Sequence, residues 1–133
     1  MSNSLQILMP AHNEGKNIQK HIIKVNNILK KKINFSFLIC EDGSSDNTAV
    51  IAAELAEQHQ IVEFIQNPEN LGFGATVRHG FQKSSFEYVM FTPVDYHFSA
   101  KEFDIYLSNE SKNFIDEYHS YYWHELKILR HLS

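Results

Sequence analysis

Three short polar segments of this chain carry residue types that can bind a ligand, and their spacing suggests that they meet. They are residues 10–14 (PAHNE), 41–46 (EDGSSD) and 70–78 (NLGFGATVR). The first two each follow a short apolar run that is typical of a buried strand, and the third opens a predicted helix. Open α/β sheets bind ligands in the crevice at the carboxyl ends of their strands. The three segments are therefore expected to form one ligand site.

The second segment places an acidic side chain directly after a predicted strand. The carboxylate of Asp42 can accept hydrogen bonds from a nucleobase N–H or a ribose hydroxyl, and Gly43 allows a tight backbone turn. The alternative is a plain connection between a strand and a helix, because Asp, Gly and Ser are common turn residues. Taken alone, this segment favours the alternative.

The third segment combines glycines with a cation. Gly72 and Gly74 at the start of a helix would let the backbone approach a phosphate. Arg78 lies one turn further on, where its guanidinium can reach a diphosphate. By itself, Arg78 is better explained as one partner of a surface ion pair.

A further acidic residue follows the fourth predicted strand. Asp95 would project into the same crevice, and His97 lies two residues later. A carboxylate with a nearby imidazole suits Mn²⁺ or Mg²⁺. The alternative for Asp95 is a helix cap.

Composition and missing motifs exclude several classes of protein. No G-x-G-x-x-G and no Walker A loop is present, which removes the commonest competing α/β interpretations. The net charge of −4 and the pI near 6.0 argue against a nucleic-acid binder. The single cysteine, Cys40, excludes an intramolecular disulfide, fits the reducing cytoplasm and is expected in the core. No apolar run approaches the roughly 20 residues that span a bilayer.

Apolar runs and helical periodicity alternate along the chain. Strands are predicted at residues 5–9, where Pro10 would stop the strand, and at 35–40, 61–65 and 88–92. Helices are predicted at residues 17–32, from Ser45 or Asp46 to about 59, and from 72 to about 84. This alternation predicts an α/β fold with a mostly parallel sheet flanked by helices.

The chain is expected to hold one domain over residues 1–110. A helical pattern resumes near Ser99, behind a capping box. The tail at residues 111–133 is rich in aromatic residues and histidine, and a helix there would lack a clear amphipathic stripe.

Together these segments resemble the motifs of the GT-A glycosyltransferases of family 2, over about residues 5–105. The first resembles P-A-Y-N-E, with His12 in the aromatic place, and the second resembles D-D-G-S-x-D, with Glu41 for the first Asp. The third follows N-x-G-x-G-x-A-x-R-x-G from Asn70 to Gly80. Each motif is modest alone, but three in this order are specific.

The resemblance implies a Rossmann-like GT-A nucleotide-binding half that binds a UDP- or GDP-linked sugar. It implies transfer of the sugar to a polyprenyl phosphate or a surface polysaccharide, in the cytoplasm or at the inner face of a membrane. It implies Mn²⁺ or Mg²⁺ held by Asp95 with His97. The residues that it implies for donor binding are Pro10, His12, Glu14, Cys40, Asp42, Arg78 and Asp95.

Two departures from the family pattern keep other interpretations open. The D-x-D metal motif reads Pro93-Val94-Asp95, so its first carboxylate is missing and metal affinity is expected to be weaker. The family's acceptor half and catalytic base would lie beyond Ser133, so a truncated product is expected. The alternatives are a catalytically inactive nucleotide-binding module or partner subunit, and a fragment that self-associates into a homo-oligomer through an exposed sheet edge.

Overall fold

Strands and helices alternate along the chain, as the apolar pattern predicts. The computed structural model describes residues 4–30, 34–92, 94 and 127–130. The elements among them are β1 (Ser4–Ala11), α1 (Ile18–Leu29), β2 (Asn34–Asp42), α2 (Thr48–Gln58), β3 (Val62–Asn67), α3 (Phe73–Lys83), β4 (Tyr88–Phe91) and β5 (Lys127–Arg130).

The strands form one sheet in the order β3-β2-β1-β4-β5. The first four strands are mutually parallel, and β5 pairs antiparallel with β4. Ala11 pairs with Glu41, and Asp42 pairs with Asn67, so β1, β2 and β3 end at the same edge of the sheet. The predicted α/β class with a mostly parallel sheet is confirmed. The register also brings the polar segments that follow these strands to one place.

Alternating apolar side chains of β1 and β2 build a core on each face of the sheet. On one face, residues such as Ile7, Phe37 and Ile39 pack with the buried stripes of α1 and α2. On the other face, Leu8 and Cys40 belong to a smaller cluster beneath α3. Burial on both faces explains why β2 is almost continuously apolar.

Gly80 lets α3 lie close to the sheet. A Cβ at this position would lie 2.5 Å from the Cys40 Sγ and 2.6 Å from the Leu8 Cδ1. Gly80→Ala should gain about 1 kcal/mol in helix propensity but lose about 1–3 kcal/mol to overpacking. We therefore expect a lower midpoint of urea unfolding. The double variant Cys40→Ala/Gly80→Ala should recover part of that loss, and strictly additive effects would contradict the predicted contact.

Several element boundaries differ from the prediction. β1 continues through Pro10 to Ala11, because pairing with β2 continues opposite Cys40 and Glu41. α1 ends at Leu29 rather than at residue 32. α2 begins at Thr48, with Asn47 at its N-cap, rather than at Ser45 or Asp46.

In the tail, where the sequence shows no clear amphipathic stripe, residues 127–130 form β5. Their partner is β4, so long-range pairing, which local periodicity does not show, determines their conformation. The helix predicted near Ser99 and the rest of the tail lie outside the described residues. Among the described helices, none has the length and apolar character of a membrane-spanning segment.

Candidate functional site

A cavity of about 310 Å³ lies beyond the carboxyl ends of β1 and β2 and beside the start of α3. All three predicted segments supply its lining: Pro10, Ala11, His12, Asp42, Asn70, Gly72, Phe73 and Thr76. The expectation that these segments meet is confirmed. Of the residues predicted to bind a donor, the fold brings Pro10, His12 and Asp42 to the cavity wall.

The carboxylate of Asp42 organises the wall beside α3. Its Oδ1 accepts hydrogen bonds from the Asn67 Nδ2 at 3.0 Å and the Leu71 backbone N at 2.7 Å. Its Oδ2 accepts one from the Gly72 backbone N at 3.0 Å. Asp42 is only 4% exposed, so these bonds satisfy a buried charge. A carboxylate has about four acceptor positions, which leaves Oδ2 with capacity for a ligand donor.

The same donors keep this carboxylate ionised. Burial alone would raise the pKa of Asp42, but hydrogen bonds to the charged form outweigh it and hold the pKa below its ordinary value of 3.8. The bonds with this effect come from the backbone N–H groups of Leu71 and Gly72 and from the side-chain amide of Asn67.

Stability should therefore fall in acid. Because the folded-state pKa of Asp42 is lowered, the unfolded chain binds more protons, so stability rises with pH. The contribution is complete above the unfolded pKa near 3.8 and disappears as pH falls through the lower folded pKa. Urea unfolding from about pH 5 to about pH 2 should show this loss, and Asp42→Asn should flatten it. If stability falls as steeply with acid in the variant as in the wild type, the acid dependence comes from other carboxylates.

His12 lies at the mouth of the cavity, within hydrogen-bond distance of the Asp42 backbone and the Asn70 side chain. The ring is exposed, and its Nδ1 lies 3.0 Å from the Asp42 carbonyl oxygen, which can only accept. Nδ1 must carry a proton to donate to this oxygen, whereas a bare Nδ1 can accept from the Asn70 Nδ2, which lies 2.9 Å from it. The Asn70 Nδ2 also lies 3.1 Å from Nε2. His12 thus joins the ends of β1 and β2 to the loop before α3.

Asn13 fastens the first polar segment to the second. It adopts a left-handed backbone with φ 54°, which Asn tolerates better than most residues. Its Oδ1 accepts from the Ser45 N at 2.9 Å and the Asp46 N at 3.3 Å. Its own N–H donates to the Ser44 Oγ at 2.9 Å. This role was not predicted from the sequence. The signal for it is the residue type, because Asn13 follows a strand and asparagine tolerates positive φ.

Glu41 does not face the cavity. It is fully buried, and its side chain turns back to accept hydrogen bonds from the Gly43 N at 3.1 Å and the Ser44 N at 2.6 Å. Because successive side chains of a strand point to opposite faces, Glu41 and Asp42 lie on different sides of the sheet. Glu41 therefore shapes the turn, and Asp42 faces the cavity.

An exposed aromatic ring forms another part of the cavity wall. Phe73 at the first turn of α3 is 59% exposed and lines the cavity. Its ring meets that of Phe91 edge to face, with centroids 5.0 Å apart. The cavity therefore offers an apolar wall opposite polar groups, a combination that suits a flat heterocycle.

Three predicted site residues are not among those that line the cavity. Cys40 is 1% exposed, and burial raises the pKa of its thiol to about 12, so its side chain lies in the core beneath α3 rather than in the cavity wall. Glu14 accepts from the Asn17 Nδ2 at 3.0 Å near the start of α1. Arg78 is exposed on α3, two residues after the lining residue Thr76.

The predicted metal ligands Asp95 and His97 lie outside the described residues. Among the residues that are described, no group of three His, Cys, Asp or Glu side chains could hold a metal ion.

Comparison with known proteins matches this sequence to glycosyltransferases. Residues 6–103 match the model of the family described as Glycosyl transferase family 2. A dolichyl-phosphate beta-glucosyltransferase of Trichomonas vaginalis is 28% identical over 103 residues, covering 73% of this chain and 31% of that protein. A poly-beta-1,6-N-acetyl-D-glucosamine synthase of Staphylococcus aureus is 29% identical over 92 residues, covering 68% of this chain and 21% of that protein.

Solved structures match the fold. The mannosyltransferase PcManGT from Pyrobaculum calidifontis, in complex with GDP-Man and Mn²⁺, superposes with a TM-score of 0.67 at 15% identity, covering 79% of this chain and 32% of that one. S. aureus TarS 1–349 in complex with UDP-GlcNAc has a TM-score of 0.63 at 20% identity, covering 89% of this chain and 32% of that one.

The chain thus spans about a third or less of the curated relatives it matches. The part that it spans contains the parallel sheet and the three polar segments at its carboxyl edge. The family model covers most of the chain, and the solved neighbours share its Rossmann-like GT-A architecture. This chain belongs to glycosyl transferase family 2.

Proposed function

We propose that this chain forms the donor-binding part of a glycosyltransferase and binds a nucleoside-diphosphate sugar in the cavity at the carboxyl edge of the sheet. The observation that carries the proposal is Asp42, a buried and ionised carboxylate with remaining acceptor capacity in the cavity wall. Such a group favours ligands with N–H or O–H donors, as on a base or a ribose.

Roles for the other residues follow from their places around the cavity. His12 and Phe73 provide a polar edge and an apolar wall, between which a base can lie. The diphosphate would lie further along α3, away from the Asp42 carboxylate, because two anions repel. Gly74 has open space around its backbone, and the exposed Arg78 lies one turn beyond it. We assign the diphosphate to this stretch, where helix N–H groups and a guanidinium favour anions.

We assign a divalent cation, Mn²⁺ or Mg²⁺, to Asp95 and His97. The support is the chemistry of the donor set, since carboxylate oxygen and imidazole nitrogen are ligands that Mn²⁺ accepts, and the Mn²⁺ in the solved mannosyltransferase. When bound, such an ion offsets the charge of a leaving diphosphate. The described residues would act on the donor alone, binding its base and ribose and orienting its diphosphate.

We further propose that the whole protein transfers the sugar to a lipid phosphate or a glycan hydroxyl. The support is the names of relatives, which include a dolichyl-phosphate glucosyltransferase and a polysaccharide synthase. An acceptor hydroxyl would need a general base, which the described residues do not identify. We place this reaction on the cytoplasmic side of a membrane, where nucleotide sugars and lipid acceptors meet.

The test of donor binding is calorimetric titration with UDP and with GDP, each with and without Mn²⁺. We expect saturable binding of one nucleotide, weakened roughly tenfold or more in Asp42→Asn, which corresponds to about 1.4 kcal/mol. Glu54→Gln is the matched control, because it removes the same charge from an exposed position on α2. A folded chain that binds neither nucleotide would reject the donor site in this chain.

A nucleotide-binding module without turnover is the second candidate. It is favoured by Pro93, which stands where the family motif has its first metal-side carboxylate. Release of nucleoside diphosphate from a sugar nucleotide distinguishes the two functions. Release above the rate without enzyme, lost in Asp95→Ala, would reject the inactive module, and binding without release would support it.

A further inference from the structure

A hydrogen-bonded chain leads from the surface of α3 to the carboxylate in the cavity wall. The His79 Nδ1 lies 3.0 Å from the Asn67 Oδ1. On the other side of the same amide, the Asn67 Nδ2 donates to the Asp42 Oδ1 at 3.0 Å and to the Thr76 Oγ1 at 3.0 Å. Asn67 is only 2% exposed, so its amide depends on these partners. His79 is half-buried and does not line the cavity.

The chain can run in only one direction if Asp42 is to keep its donor. An amide oxygen only accepts, so the His79 Nδ1 must carry a proton to donate to the Asn67 Oδ1. With that proton on Nδ1, the NH₂ group of Asn67 faces Asp42. With the proton only on Nε2, the bare Nδ1 would attract the NH₂ group and turn the amide oxygen toward the carboxylate. The position of one imidazole proton thus determines what Asp42 faces. It faces either the donating NH₂ group of Asn67 or the partial negative charge of the Asn67 amide oxygen.

We propose that His79 is a positioning residue for the donor site. His79 holds the Asn67 amide in the orientation that donates to Asp42, and this hydrogen bond keeps the Asp42 carboxylate directed into the cavity. The role is distinct from that of the residues that line the cavity, because His79 acts only through Asn67. The Thr76 hydroxyl supports the same arrangement, since it accepts from Asn67 and donates to the Gly72 carbonyl oxygen at 2.8 Å.

Wild-type protein provides the first test, which needs no variant. Long-range ¹H–¹⁵N correlation spectra distinguish the protonated ring nitrogens of a histidine. We expect His79 to be protonated at Nδ1 at neutral pH, either in the neutral ring or in the cation. A neutral His79 with its proton on Nε2 would overturn the proposal.

The second test compares His79→Leu with His79→Asn. Leucine removes the donor, whereas the amide NH₂ of asparagine can occupy nearly the position of Nδ1. By ¹³C titration of the Asp42 carboxyl, we expect its pKa to rise in His79→Leu and to stay near the wild-type value in His79→Asn. Equal values in wild type and His79→Leu would overturn the proposal, as would a rise of the same size in both variants. Circular dichroism and thermal melts identify any variant that is simply unfolded.

The link to nucleotide binding rests on the proposed function and is measured separately. UDP, or GDP if that nucleotide binds, should bind roughly fivefold more weakly to His79→Leu, which is the loss expected for one hydrogen bond, and nearly normally to His79→Asn. If neither nucleotide binds the wild type, the proposed function fails, while the carboxyl titration still decides whether His79 positions Asp42. Normal binding by His79→Leu would overturn the positioning role.

Discussion

Replacing Asp42 with alanine is expected to lower the free energy of unfolding by about 3 kcal/mol or more and to remove nucleotide binding. The reason is that one carboxylate accepts from three donors, the side-chain amide of Asn67 and the backbone N–H groups of Leu71 and Gly72. A donor left without a partner away from water costs about 1–3 kcal/mol. The loss should exceed that of an ordinary cap because it also releases the loop that enters α3.

Urea unfolding followed by circular dichroism measures the change, and Asp42→Asn separates geometry from charge. The asparagine side chain keeps one acceptor oxygen but turns an NH₂ group toward a former donor. We therefore expect Asp42→Asn to lower the free energy of unfolding less than Asp42→Ala does. Both variants should bind UDP or GDP more weakly than Glu54→Gln, which changes only an exposed charge on α2. If Asp42→Ala unfolds at the wild-type urea concentration, water replaces the carboxylate, and the loop does not depend on it.

The position of the site could be predicted from the sequence because it depends on where strands end. Apolar runs before residues 10–14 and 41–46 place both polar turns at the carboxyl edge of a parallel sheet. Gly72 at the predicted start of a helix is the N-cap of α3. These features are local, since each depends on a few neighbouring residues whose pattern is visible along the chain.

The contacts inside the site could not be predicted in this way, because they join residues that are far apart in sequence. Asn67 has the composition of a turn residue in the sequence, yet it ends β3 and links Asp42, at the end of β2, to His79 on α3. Cys40 stands beside Asp42 but points to the core, and local pattern alone does not separate these two roles. The same limit applies to β5, whose partner strand β4 is distant in sequence and is joined to it only by the fold. Motifs therefore identify the place of a site more reliably than the role of each residue in it.

Gly43→Ala is expected to be the most damaging glycine substitution in the described chain. Gly43 has φ +63°, a left-handed conformation that costs a residue with a Cβ about 1–2 kcal/mol. Its Cβ would also meet the backbone N of Asn70 and the carbonyl carbon of Glu69, and would lie 2.9 Å from the Glu69 Cα. Backbone atoms cannot rotate away as a side chain does, so overpacking should add about 1–3 kcal/mol. The expected destabilisation is therefore about 2–5 kcal/mol.

Alanine substitutions at two further glycines of the same site separate the cost of backbone strain from the cost of a steric clash. Gly72 has φ +95°, but a Cβ at this position would have no neighbouring atom within 4 Å, so Gly72→Ala should show strain alone. Gly74 has neither strain nor a neighbour within 4 Å, so Gly74→Ala should be neutral or stabilising through helix propensity. Thermal and urea unfolding should rank the three variants with Gly43→Ala lowest and Gly74→Ala highest. Equal losses for Gly43→Ala and Gly72→Ala would mean that the loop at Glu69 and Asn70 moves aside without cost. In that case nucleotide affinity should still fall, because Asn70 lines the cavity and its loop would have shifted.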